Sequence, residues 1–147
     1  MKKVLLGLVI AIIMNGSVFA CKTPEELMDN YFSDFNAKDI IMVERNFSFP
    51  LMVIQNGKKT IHNDISTFLN FKKIKKTGWS ESVINSLTLL LEKNKSAITQ
   101  LNFSRINNDG NVYLTSDVNY ILIKENEHWY ISGIIIDSNI PLGIENN

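Results

Sequence analysis

The chain has one cysteine, two histidines and no excess of either charge sign, with fifteen basic and fifteen acidic side chains over 147 residues. A single cysteine excludes an internal disulfide framework and a cysteine-rich metal site. The two histidines, His62 and His128, lie far apart and form no His-x-x-His pair. The ligand spacing of a metal centre is therefore missing, and no metal is expected. Zero net charge argues against a nucleic-acid partner, which calls for a basic footprint. The seven glycines are scattered, so no phosphate-cradling loop is formed, and no Gly-x-Ser-x-Gly element supports a serine hydrolase. Composition points to no catalytic constellation and to no cofactor. What is abundant is apolar: 45% of the residues are hydrophobic. That is enough to exclude disorder, and the length suits one domain.

The start of the chain reads as an address. Lys2 and Lys3 precede an uncharged run from Val4 to Met14, and Asn15-Gly16-Ser17-Val18-Phe19-Ala20 leads to the only cysteine, Cys21. The run is shorter than the roughly 20 residues that span a bilayer. The three-part plan is that of a secretory signal peptide over residues 1–20. Val18-Phe19-Ala20-Cys21 resembles the bacterial lipobox, which implies a diacylglyceryl group on the Cys21 sulfur and cleavage before it. Residues 21–23 would then be an anchor and linker, in the periplasm or at the cell surface. The leader carries two bases and no acid, so the mature chain of 127 residues has thirteen bases against fifteen acids, a net charge of −2.

Helix signals come first. Thr23-Pro24-Glu25-Glu26 is a capping-box start, followed by Leu27, Met28, Tyr31, Phe32 and Phe35 at helical spacing. Asp39 can cap a short helix through about Arg45. Asn56-Gly57 between two apolar runs predicts a hairpin from Leu51 to His62. Asn63-Asp64 predicts a third helix carrying Ile65, Phe68 and Leu69. It ends in Lys72, Lys73, Lys75 and Lys76, the only charge run, which reads as a solvated helix end or a surface for anionic lipid. Val83–Leu91, Ala97–Ile106, Val112–Lys124 and Trp129–Asp137 then read as four long strands. Short polar turns join them, as in an antiparallel meander. Helices before strands indicate an α+β class. The domain is expected over residues 24–137, with a tail from 138 to 147 that is loose or a short edge addition.

This order resembles the nuclear transport factor 2-like superfamily, with its SnoaL-like cyclases and ketosteroid isomerases. The resemblance is carried by Tyr31 to Asp39 in the first helix, by Arg105-Ile106-Asn107-Asn108-Asp109-Gly110 at a strand turn, and by Tyr120 to Ile131 in the closing hairpin. It implies N-terminal helices packed into a strongly curved, cone-like antiparallel sheet that can hold a pocket. It also implies a small apolar or mixed-polarity ligand, or a homodimer through the sheet face.

Steroid-isomerase chemistry needs a carboxylate base near the first strand, and Phe47 to Gln55 contains no acid. The candidate pocket residues are Tyr31, His62, Trp79, Tyr120 and Asp117. Tyrosines join an apolar body to a polar tip, as ligand sites often require. Asp117 is the only carboxylate inside a long strand, although alternation also suits it to a solvated sheet face. Arg105 reads as an ion-pair partner for an acid across the sheet. Together these features favour an exported, lipid-anchored binding module with no catalytic residue assigned. The alternative is a pocket enzyme of the isomerase, cyclase or dehydratase type.

Overall fold

The computed structural model describes residues 20–142. The expected export signal, apart from Ala20, and residues 143–147 of the expected tail lie outside the described residues. Among the described residues no helix is long and apolar enough to cross a membrane.

Local chemistry accounts for the first elements. α1 (Pro24–Ala37) starts at a complete capping box, in which the Glu26 N–H donates to the Thr23 hydroxyl at 3.2 Å and the Glu26 carboxylate accepts from the Thr23 N–H. Its helical stripe Leu27, Met28, Tyr31, Phe32 and Phe35 is buried. α2 (Ile40–Glu44) is capped by the Asp39 carboxylate, which accepts from the Ile41 and Met42 N–H groups. β1 (Phe47–Gln55) and β2 (Lys58–His62) form the expected hairpin, with Asn56 and Gly57 both at positive φ.

The expected third helix is broken in two. Asp64 caps a 3-10 turn over Ile65–Thr67, and Asn70 caps α3 (Phe71–Lys75) anew through the Lys73 N–H. Each short polar side chain satisfies helix-start donors, so the break lets Ile65, Phe68, Leu69 and Ile74 all reach the core.

β3 (Trp79–Glu92), β4 (Ser96–Asn107), β5 (Val112–Glu125) and β6 (His128–Ile136) make the antiparallel meander. The six-stranded sheet has the order β2-β1-β6-β5-β4-β3. It is mixed and open rather than wholly antiparallel, because β1 runs parallel to β6, with Val53 opposite Ile134. The meander leaves the outer edge of β6 unpaired, and the hairpin covers it.

The residues on one face follow a period of two. On β4 they are Ala97, Thr99, Leu101, Phe103 and Arg105, and on β5 they are Ser116, Val118, Tyr120 and Leu122. On β6 an extra residue, Ser132, shifts the buried phase from Trp129 and Ile131 to Ile134 and Ile136. Such bulges bend a sheet, and register shifts also interrupt β3 against β4. α1 packs on β3 and β6. Asn36 ties its end to the edge strand: its amide donates to the Ser82 carbonyl and accepts from the Ser82 N–H, both at 2.8 Å.

Residues 138–142 are seated rather than loose. Ile140 is buried, the Gln55 amide donates to the Ser138 carbonyl at 2.9 Å, and the Asn70 N–H donates to the Leu142 carbonyl at 3.1 Å. Ile140 and Leu142 are apolar, and the end of β6 carries them back over α3 and the sheet, where they find a core to join.

Candidate functional site

The inward residues of β4, β5 and β6 meet the apolar stripe of α1 around one small lumen. Its walls include Tyr31, Phe32 and Phe35 from α1, Phe103 and Arg105 from β4, Val118 and Tyr120 from β5, and Ile134 and Ile136 from β6; Ile140 and Leu142 of the tail close it. The enclosed volume is about 30 Å³, room for one or two waters. Tyr31 organises the aromatic wall, meeting Phe47 edge to face at 5.3 Å and Tyr120 at 6.0 Å.

Of the five candidate pocket residues, the structure brings Tyr31 and Tyr120 together in this lumen. His62 lines a smaller neighbouring cleft with Gln55, Lys58 and Thr60, and Phe68 and Leu142 form walls of both. Its two ring nitrogens lie against hydroxyls, Nε2 at 3.1 Å from Thr60 and Nδ1 at 3.3 Å from Thr67. Trp79 is buried behind the lumen, stacked on Phe71, with its indole N–H donating to the Ser82 hydroxyl at 3.0 Å. Asp117 is on the outer face of β5 and accepts from the Asn102 amide at 2.8 Å. Between the inward Ser116 and Val118, period two turns it to solvent. The lysines of α3, Lys72, Lys73 and Lys75, with Lys76 after them, are exposed.

Arg105 is the residue whose place differs most from the sequence reading. It faces no acid across the sheet. It is 2% exposed and lines the lumen. Its Nη1 donates to the Pro141 carbonyl at 2.7 Å, and its Nε has no hydrogen-bond partner. The groups that act on it electrostatically are three phenols, Tyr113, Tyr31 and Tyr120. Burial lowers its pKa, and the phenols oppose that. A guanidinium nevertheless remains protonated in proteins. Withdrawing a cation from water costs several kcal/mol unless it is paired, and here the acceptors it meets, the Pro141 carbonyl and the Tyr113 hydroxyl, are not carboxylates.

Tyr31 and Tyr120 stay neutral over the physiological range. Burial, against the pull of Arg105 and a hydrogen bond from Tyr120, pushes Tyr31 up to about 12. Burial likewise raises Tyr120, as do the neighbouring Tyr31 and the hydrogen bond to it. The lumen can thus hold an apolar body and meet an acceptor atom with a cation and hydroxyls. The signal for Arg105 was the alternation Ala97-x-Thr99-x-Leu101-x-Phe103-x-Arg105, which places it inward.

Cys21 lies apart from the lumen, at the head of α1. Its sulfur is buried and accepts from the Asn30 amide at 3.1 Å, its N–H donates to His128 Nδ1 at 2.9 Å, and its carbonyl accepts from the Trp129 N–H at 3.1 Å. Burial is the main influence raising the thiol pKa. Among the described residues no group of three metal-ligating side chains is assembled.

No curated protein matches the chain. Many solved structures share its fold. A protein with a cystatin-like fold from Nostoc punctiforme aligns with a TM-score of 0.64 at 14% identity, over 80% of this chain and 90% of its own. An NTF-2 like protein of unknown function from Shewanella oneidensis aligns at 0.61 and 16% identity, over 78% and 95%. A candidate ketosteroid isomerase from Shewanella frigidimarina aligns at 0.56 and 10% identity, over 74% and 89%. Identities this low carry the fold alone. The family model described as NTF2-like protein (DUF6841) matches residues 23–139, and with the open six-stranded sheet wrapped on α1 it establishes that the chain belongs to this NTF2-like family.

Proposed function

We propose that the protein is an exported, lipid-anchored NTF2-like domain of the bacterial cell envelope that binds a small, mainly apolar molecule in its lumen. The observation that carries the binding reading is the lumen's lining. Apolar walls surround two phenols and one buried cation, and among the described residues no aspartate, glutamate or histidine lines the lumen. Hydroxyl and guanidinium donors could hold an oxyanion, but proton abstraction also needs a base. A lumen with donors and no base suits capture better than isomerase chemistry. Native mass spectrometry of the protein from its own host tests this. The expected result is a co-purified small molecule released on unfolding; protein that is empty in every preparation, and stays empty when offered host extract, contradicts it.

Export and anchoring rest on residues 1–21. The Cys21 sulfur is buried against the Asn30 amide, so a diacylglyceryl chain on it would draw the sulfur away from Asn30. Labelled palmitate is expected to mark the wild type and not Cys21→Ala, and equal labelling of both would refute the anchor. A homodimer through the sheet has support in the exposed Val83, Leu90 and Leu91 of edge strand β3, which are the apolar side chains a second copy would cover.

A further inference from the structure

We propose that the lumen takes a monocarboxylate with a compact apolar body, whose carboxylate seats on the Arg105 guanidinium in the place now held by the Pro141 carbonyl. This rests on the ligand-binding reading above and names the chemistry of its ligand.

Three observations converge. The first is an unmatched cation. Arg105 is 2% exposed at an inward position of β4, and among the described residues its Nε has no partner and no carboxylate lines the lumen. A guanidinium offers five N–H donors in a planar fork that fits a carboxylate with two parallel bonds. The Pro141 carbonyl on Nη1 and the Tyr113 hydroxyl use two of them, and Nε is left over.

The second is the shape of what sits there now. Ile140 and Leu142 put branched apolar side chains into the lumen on either side of the Pro141 carbonyl oxygen. The segment thus presents an oxygen acceptor flanked by apolar bulk, and it outlines the ligand that would replace it. With only about 30 Å³ left open, a ligand must displace this segment rather than slip in beside it. Residues 138–140 are held by Gln55, by the Ser116 hydroxyl and by Asn56, whereas among the described residues Pro141 and Leu142 are held by Arg105 donating to the Pro141 carbonyl and by the Asn70 N–H donating to the Leu142 carbonyl.

The third is charge and polarity. The other polar groups around the cation are the phenolic hydroxyls of Tyr31, Tyr120 and Tyr113, and that of Tyr113 accepts a hydrogen bond from the guanidinium. One cation among apolar and phenolic walls balances one negative charge. A phosphate ester, with up to two charges and more oxygens to satisfy, would find too few partners.

Isothermal titration of the full-length protein with phenylacetate and 4-methylpentanoate, each beside its isosteric amide, tests the proposal. The carboxylates are expected to bind at least tenfold more tightly than the amides. Arg105→Met should remove that preference while the variant still unfolds cooperatively. Leu142→Ala should tighten carboxylate binding by weakening the competing tail. If acids and amides bind equally, or if Arg105→Met keeps the preference, the lumen binds apolar molecules and the carboxylate assignment is overturned. If neither acids nor amides bind, the carboxylate assignment and the binding reading beneath it both fall. Glu145 follows the closing segment in sequence, so Glu145→Gln is the control for self-occupancy. Carboxylate affinity that appears only in that variant would make Arg105 a partner for the chain's own acid and would overturn the proposal.

Discussion

Tyr31 from α1 and Arg105 from β4 line the same lumen, and their opposed chemistry defines it at the scale of single residues. Burial works against ionisation of both, pushing the phenol up and the guanidinium down. For Tyr31 this makes a stability statement. Its pKa in the fold, about 12, lies above its ordinary value of 10.0, so the neutral phenol is favoured by folding. That contribution is complete below pH 10 and is lost as pH climbs towards 12. Thermal unfolding of the wild type should therefore be flat in this respect up to about pH 10 and fall beyond it, and the fall should be shallower in Tyr31→Phe. Identical alkaline profiles for the two proteins would show that Tyr31 is not buried as described. The sequence exposes part of this arrangement. Tyr31 is legible from the helical stripe of α1 and Tyr120 from the alternation of β5. Arg105 is legible in phase but not in chemistry, because a long cation in a strand usually reaches solvent or an acid. Only the assembled sheet reveals that neither is there to meet it.

The elements are governed by their ends. Thr23, Asp39, Asp64 and Asn70 each satisfy backbone donors at a helix start. The first two are easily read, since each precedes a single uninterrupted helix. The third expected helix is divided because Asn70, inside the apolar pattern, acts as a second cap. Its side chain competes for the backbone just as it would at any start. The capping box of α1 gives a measurable magnitude. Thr23→Ala should cost about 1 kcal/mol in a urea denaturation series, and an unchanged midpoint would mean that the cap contributes nothing. The head of β6 shows a second dependence at an element's end. Burial holds His128 below its usual pKa of 6.5, and its Nδ1 accepts from the Cys21 N–H. The stability from this contact is present above pH 6.5 and is lost as acid protonates the ring. Amide exchange at Trp129, which donates to the Cys21 carbonyl, should rise relative to its intrinsic rate below pH 6.5. In His128→Asn that pH dependence should vanish; its persistence would exclude His128 as the cause.

Across the whole molecule, the meander and the hairpin can be read from turn chemistry, but their union cannot. The parallel register of β1 on β6 joins elements about eighty residues apart, and no local pattern encodes it. The same holds for the tail. Ser138 to Leu142 looks like a weak segment in isolation because it has no turn signal and no period. It becomes ordered only where Gln55, Asn70 and Arg105 converge on it. The lumen is thus built from residues legible singly and closed by a contact that was not. Its central feature is a cation kept dry with no counter-charge among the described residues. Such an arrangement is unfavourable for folding, and replacing buried ionic groups by apolar residues of similar volume is often neutral or stabilising, by about 1–4 kcal/mol.

The most direct measurement is the ligand-free unfolding free energy of Arg105→Met against the wild type. If Arg105 is held for a ligand, the methionine variant is as stable as the wild type or more so, even after the loss of its bond to the Pro141 carbonyl. If the variant is instead less stable by more than about 3 kcal/mol, as when one member of a satisfied buried pair is removed, Arg105 is a structural residue and the lumen has no anion to receive.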